Sequence, residues 1–207
     1  MKRKGILIII SGFSGAGKGT LVKRLVEKYD GYALSISATT REPRPGEVDG
    51  REYFFLKKEE FEREIAESGL IEYACYCDNY YGTPREYVEN QLADGRDVIL
   101  EIEIQGAHKV KEQYPDALTL FVMTPGAEEL RYRLESRGTE SAEVIEKRMQ
   151  RAAQEALGIE KYEYIVVNDN LEKCVDEVHR IIIAAHNASH RNMEFIDNIR
   201  RELEGEK

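Results

Sequence analysis

Five consecutive aliphatic residues, Ile6 to Ile10, begin the apolar pattern of this chain, and they end at Gly12-Phe-Ser-Gly-Ala-Gly-Lys18-Gly-Thr20. A run without polar alternation predicts a strand buried on both faces, as in a parallel sheet. Leu21, Val22, Leu25, Val26 and Tyr29 then recur at helical spacing, so a helix starts near Lys18. Ser35 to Arg44 is polar, and Asp49-Gly50 signals a tight turn. Arg51 to Leu56 reads as a strand, Glu59 to Ser68 as a short amphipathic helix closed by Gly69, and Leu70 to Cys77 as a strand. Asn79 to Thr83 reads as a loop. Thr83-Pro84-Arg85-Glu86 has the form of a capping box with proline at the first helical position, opening a helix that runs to about Asp94-Gly95.

The second half repeats the alternation. Val98 to Ile104 and Leu118 to Val122 predict strands, Pro125 opens a helix ending at Arg137-Gly138, and a charged, alanine-rich helix spans about Ser141 to Leu157. Tyr164 to Val167 reads as a buried strand. The next helix carries Leu171, Cys174, Val175, Val178, Ile181, Ile182 and Ala185 on one face. Strands alternating with helices predict an α/β fold, a parallel sheet with helices on both faces. The stretch from about 36 to 92 breaks that rhythm and reads as an inserted subdomain. After Asn187 the chain is polar, but Phe195, Ile196, Ile199 and Leu203 keep helical spacing. That tail is predicted to dock on the body or on another subunit, the latter making a homo-oligomer.

Candidate chemistry begins at the glycine-rich segment. Gly12, Ser14, Gly15, Ala16, Gly17, Lys18, Gly19 and Thr20 form the pattern of a phosphate-binding loop between a strand and a helix. Glycines let successive backbone N–H groups turn inward on an anion, Lys18 adds a full charge, and the helix dipole points its positive end at the same place. The strict pattern has Ser or Thr directly after the lysine. Here Gly19 stands there, and Thr20 supplies the nearest hydroxyl.

Charge narrows the function. The formal net charge of the 207 residues is −9, which opposes nonspecific binding to nucleic acid or to an anionic membrane. An anion site must therefore be built from a few aimed cations. No apolar stretch is long enough to span a bilayer and no signal-peptide pattern leads the chain. Three cysteines without framework spacing fit a reducing cytoplasm. Cys75 and Cys77 are expected to be buried thiols, and His186 and His190 to lie on a helix surface.

A second arginine cluster lies at Arg41-Glu-Pro-Arg44-Pro, where prolines stiffen the backbone and guanidinium forks suit a second phosphate. This stretch, the phosphate loop, Asn79-Tyr-Tyr-Gly-Thr83, Gln105-Gly106, Arg137-Gly-Thr139, Lys147-Arg148 and Val167-Asn168-Asp169 together resemble guanylate kinase over about residues 5 to 186. The resemblance implies a nucleoside monophosphate kinase with a P-loop core (about 1–35, 95–125 and 159–186), a GMP-binding subdomain (about 36–94), a small helical lid (about 126–158) and a tail (about 187–207). It implies phosphorylation of GMP, and of dGMP, from ATP with Mg²⁺. Arg41, Arg44, Tyr53 and Tyr81 would bind the GMP phosphate. Ser37, Glu72, Thr83 and Glu103 would contact guanine. Lys18, Arg41, Arg133, Arg137 and Arg148 would carry catalysis, Asn168 would lie by the adenine of ATP, and Thr20 and Glu101 would serve the metal, partly through water.

The residue types suit those roles. Guanine presents a ring N–H and an exocyclic amine side by side, and one carboxylate accepts both. Adenine has an acceptor at the ring position, so Glu72 selects the base. Glu101 and Glu103, two apart in the predicted strand, would share one face, with Leu100, Ile102 and Ile104 on the other. The family often carries Asp at both places. Two rival readings remain: a kinase for another small phosphate acceptor, such as a ribose bisphosphate, and a non-catalytic guanylate-kinase-like scaffold. The retained Lys18 and lid arginines favour chemistry.

Overall fold

The computed structural model describes residues 4–76, 78–136, 138 and 141–205. Strand β1 (Leu7–Gly12) leads through the glycine-rich loop into α1 (Lys18–Lys28), and β2 (Tyr32–Leu34) follows. A second lobe contains β3 (Ala38–Thr39), β4 (Phe54–Phe55), α2 (Lys58–Ala66), β5 (Leu70–Tyr76) and β6 (Asn79–Pro84). The chain returns through α3 (Arg85–Ala93), β7 (Asp97–Glu101), α4 (Ile104–Gln113) and β8 (Leu118–Met123). Helices α5 (Ala127–Ser136) and α6 (Ala142–Glu155) precede β9 (Tyr164–Val167), α7 (Leu171–His186) and α8 (Met193–Glu204).

The main sheet has the order β2-β7-β1-β8-β9, and all its pairings are parallel. Ile8, Ile9 and Ile10 are fully buried, in register with Ile99, Leu100 and Glu101 of β7 and with Leu118, Thr119 and Leu120 of β8. The α/β sheet with covering helices is the expected architecture. On α1, Leu21, Val22 and Leu25 are buried as the spacing requires, while Val26 lies at the edge of that face and is exposed. The second lobe is a four-stranded sheet, β4-β3-β6-β5, with a small core of Ala38, Phe61 and Leu70 flanked by Phe54, Leu56, Ile65 and Tyr80.

The structure corrects several boundaries. Asn79 to Thr83 is not a loop but most of β6, paired antiparallel with β5 across a turn in which Asp78 adopts φ 60°. Because Thr83 is committed to that ladder, it does not cap α3. Pro84 is the N-cap, and no side chain caps the helix. Of the strand expected over Arg51 to Leu56, only Phe54–Phe55 pairs, since Gly50 and Tyr53 close a turn just before it (Gly50 N–H to Tyr53 carbonyl, 2.8 Å). Strand β7 ends at Glu101, and Ile104 already starts α4, so Glu101 and Glu103 do not share a strand face. Strand β9 is the sheet edge, with only Val166 buried. Cys75 is exposed and Cys174 buried, its thiol pushed up to about 12 by desolvation. Cys77 lies outside the described residues.

The tail helix α8 has no buried residue, and Phe195 and Leu203 are exposed, so it does not bury its apolar stripe on the body. His186, expected on a helix surface, is buried. Its Nε2 lies 2.8 Å and 2.9 Å from the two Asp97 oxygens, and Oδ1 of Asp97 also accepts from the Ile6 N–H at 2.8 Å. This polar knot ties the end of α7 to the start of β7 and the entry of β1. Asp97→Ala leaves two buried groups without their acceptor. It is expected to destabilise the protein by roughly 2–4 kcal/mol, lowering the calorimetric unfolding midpoint by about 2–4 °C per kcal/mol for a chain of this size.

Candidate active site

Parallel pairing brings the C-terminal ends of β1, β7, β8 and β9 to one edge of the sheet, where open α/β sheets place their ligands. From β1 rises the glycine-rich loop. Gly12, at φ 156°, has no room for a side chain, because a Cβ there would stand 2.1 Å from the Val122 carbonyl oxygen. Gly17 adopts φ 88° as the N-cap of α1, and a Cβ there would meet Asn168 Nδ2 at 2.7 Å. The loop is thus seated against β8 on one side and against the end of β9 on the other. Lys18 folds back over it, donating from Nζ to the carbonyls of Gly12 (2.7 Å) and Phe13 (3.2 Å).

Asn168 follows β9, is buried, and donates from Nδ2 to the Ala16 carbonyl at 2.8 Å. Arg133 of α5 braces the same corner, with Nη2 on the Asn168 carbonyl (2.8 Å), Nη1 on the Ala16 carbonyl (3.4 Å) and Nε on Glu129 (2.6 Å). Arg148 of α6 reaches across the opening to Ser14 Oγ at 2.8 Å. The structure therefore joins three of the expected elements, the phosphate loop, Asn168 and the arginines Arg133 of α5 and Arg148 of α6. Arg137 and Thr139 lie outside the described residues.

Glu101 ends β7 beside the loop, its carboxylate oxygens 3.7 Å from where a Cβ of Gly19 would be. The place that the strict motif gives to a hydroxyl-bearing residue is thus bordered by a carboxylate. Crowding by protein raises the pKa of Glu101, and Lys18 opposes that shift. Thr20, in the first turn of α1, is exposed at the same mouth. No group of three or more His, Cys, Asp or Glu side chains able to hold a metal ion occurs among the described residues. One carboxylate and one hydroxyl beside a phosphate cradle suit a hard cation that keeps its waters and binds mainly through substrate phosphates, which is how Mg²⁺ is usually held.

The second lobe faces this edge. Between Leu70 and Tyr73 the β5–β6 register slips, and this irregularity contains Ile71 and Glu72. Bulges of this kind re-aim side chains. Here Ile71 enters the main core, while Glu72 accepts from Thr83 Oγ1 at 2.8 Å and comes close to Gly106 at the start of α4. Burial raises the pKa of Glu72, against the Thr83 hydrogen bond and the charge of Lys109. Ser37 sits just before β3, its carbonyl taking the Phe54 N–H at 2.9 Å. Glu103 is the N-cap residue of α4, but its side chain does not cap it. The side chain turns to α6 instead, accepting from Arg151 Nη2 at 2.6 Å across a cleft of about 670 Å³ between α4 and α6.

Arg41, Tyr53 and Tyr81 converge. The guanidinium of Arg41 lies 5.4 Å from the Tyr53 ring centre and 5.7 Å from that of Phe55, and the rings of Tyr53 and Tyr81 are 6.0 Å apart. Arg44 extends into solvent from the same loop. Sequence reasoning missed Glu47 and Glu129, the partners of Arg41 and Arg133, and Arg151, the partner of Glu103. Glu129 carries a legible signal, since it stands one helical turn before Arg133. Glu47 meets Arg41 and Arg44 through the turn of its own loop, whereas Arg151 meets Glu103 through tertiary folding.

The comparisons agree with this geometry. The sequence profile described as guanylate kinase matches residues 4–185. A guanylate kinase of Caldanaerobacter subterraneus subsp. tengcongensis is 50% identical over 202 residues, 98% of either chain. One of Latilactobacillus sakei subsp. sakei is 50% identical over 90% of this chain and 92% of its own. Among solved structures, guanylate kinase from Anaplasma phagocytophilum superposes with a TM-score of 0.71 at 31% identity, covering 92% of this chain and 91% of that one. A parallel-sheet core that carries a phosphate loop, an inserted sheet bearing an arginine cluster and a half-buried glutamate, and this extent of identity leave one assignment: the chain belongs to the guanylate kinase family.

Proposed function

We propose that the chain carries out its family's reaction, ATP-dependent phosphorylation of GMP and dGMP, at the mouth between the phosphate loop and the inserted sheet. What supports this reading is the glycine-rich loop with Lys18 folded over it, together with a separate cluster of Arg41, Tyr53 and Tyr81 on the second sheet. Gly12, Ser14, Gly15, Ala16, Gly17, Gly19 and Thr20 surround the donor phosphates and Asn168 borders the adenine. Arg41, Arg44, Tyr53 and Tyr81 hold the acceptor phosphate, and Ser37, Glu72, Thr83 and Glu103 hold guanine. On this reading residues 36–94 are the GMP-binding subdomain and 126–158 the lid, and the protein works in the cytoplasm.

The attacking atom is an oxygen of the GMP phosphate. It is already anionic, so no general base is needed, and the protein's task is alignment and neutralisation of charge. Lys18 moves from the Gly12 and Phe13 carbonyls to the donor phosphates. Arg148 and Arg137 bring charge to the transferred group, and Arg133 holds the loop corner at Ala16 and Asn168. Thr20 and Glu101 would hold Mg²⁺, the latter through water. The ion supplies charge neutralisation and fixes the geometry of the phosphates. Glu72, its oxygen already oriented by Thr83, takes the guanine ring N–H and amine. Lid closure excludes the water that would otherwise hydrolyse ATP.

The test is a panel of acceptors (GMP, dGMP, AMP, UMP, CMP and ribose 1,5-bisphosphate) with ATP and Mg²⁺, measuring ADP. Guanine nucleotides are expected to dominate, and turnover indifferent to the base would overturn the reading. Glu72→Gln removes a charged acceptor and is expected to lower kcat/KM for GMP by about 10- to 150-fold, the worth of one hydrogen bond to a charged group. Arg148→Ala should act on kcat, by roughly 100-fold or more, with KM for GMP nearly unchanged, because its charge is needed in the transition state.

A further inference from the structure

We propose that Glu47 is a positioning residue for the acceptor phosphate: it fixes the guanidinium of Arg41 and the backbone of Arg44 in the arrangement that receives GMP. The inference rests on reading Arg41 as the phosphate ligand. Both oxygens of Glu47 lie 3.0 Å from Arg41 Nη2, and Oε2 also accepts the Arg44 N–H at 2.7 Å. The Glu47 N–H in turn donates to the Arg44 carbonyl at 3.0 Å, closing a ring of bonds around the Arg44-Pro45-Gly46-Glu47 turn. The other terminal nitrogen of Arg41 donates to the Glu42 carbonyl at 2.7 Å. Both partners are largely enclosed, with side chains 17% and 18% exposed.

A carboxylate beside a phosphate site is electrostatically awkward, since it repels the arriving anion. Its geometry explains why it is there. Arginine has a long, rotatable stem, and binding must otherwise order it at the moment of contact. Glu47 and the Glu42 carbonyl engage the terminal nitrogens, the rings of Tyr53 and Phe55 flank the fork, and the Tyr81 ring packs against that of Tyr53. The guanidinium is thus held at the edge of the two tyrosines before ligand arrives. The Arg44 N–H first, then the Arg41 charge acting against partial burial, hold the Glu47 carboxyl below the ordinary carboxylate range, so it is ionised at neutral pH.

Repulsion and positioning predict opposite signs. If Glu47 positions Arg41, Glu47→Gln in the full chain raises KM for GMP by about 10-fold, with KM for ATP and kcat within twofold and the unfolding midpoint little changed. In an Arg41→Met background the same substitution has no further effect on KM for GMP. Glu47→Asp, which keeps the charge on a shorter stem, gives an intermediate KM and serves if the glutamine variant folds poorly. A KM for GMP that is unchanged or lower in Glu47→Gln, or an effect that persists without Arg41, overturns the inference. If Arg41→Met itself leaves KM for GMP unaltered, the reading of Arg41 as phosphate ligand falls first. If Arg41→Met raises it and Glu47→Gln does not, only the role of Glu47 falls.

Discussion

Parallel pairing of five strands is the constraint from which the rest of this structure follows. Parallel neighbours run in the same direction, so each strand delivers its following loop to the same edge. The phosphate loop leaves β1 there, Glu101 ends β7 there, the chain departs into α5 and α6 after β8 there, and Asn168 follows β9 there. None of these residues is near another in sequence. The pairing is tight enough that Gly12 cannot carry a side chain without striking the Val122 carbonyl. The loop's shape and the β1–β8 register are therefore one requirement, and a substitution at Gly12 would disturb both at once.

The proposed site draws on Lys18, Arg41, Arg44, Arg133 and Arg148 in a chain whose formal net charge is −9. Cations brought together repel, and local oxygens offset this. Backbone carbonyls hold Lys18, Glu47 and Glu42 hold Arg41, and Glu129 with two carbonyls holds Arg133. Each contact orients a donor while damping repulsion. Arg151 links Glu103 to the lid in the same way, although that pair is well exposed and so contributes little to stability.

Much of this was legible in the sequence, for identifiable reasons. Ile6 to Ile10, Leu118 to Val122 and the apolar face of α7 write their burial directly in residue type. The phosphate loop is legible because its ligands are consecutive, and the long helices because their period is local. What escaped depends on distant partners. Tyr80-Tyr81-Gly82-Thr83 looks like a loop until β5 lies beside it. Thr83 looks like a cap until the slipped register brings Glu72 to its hydroxyl. The end of β7 at Glu101 is invisible inside an apolar run that continues through Ile102 and Ile104. His186 looks like surface because Asp97 is 89 residues away, and Glu47 looks like a turn residue because nothing local marks it as the partner of Arg41.

The second lobe buries only Ala38, Phe61 and Leu70 in a core of its own, while the main sheet encloses dozens of apolar side chains around β1 and β8. A cluster of that size cannot hold four strands unaided. It borrows rigidity at its seam, where Ile71 enters the main core and Arg85 bonds the Ser68 and Leu70 carbonyls on one side and Tyr114 and Gln113 on the other. By the size of its core this lobe is expected to be the low-stability unit in the hierarchy of local opening. On the proposed reading, acceptor nucleotide would act twice, as a substrate and as a ligand that stabilises this lobe, so resistance to local unfolding would rise with the supply of what is consumed.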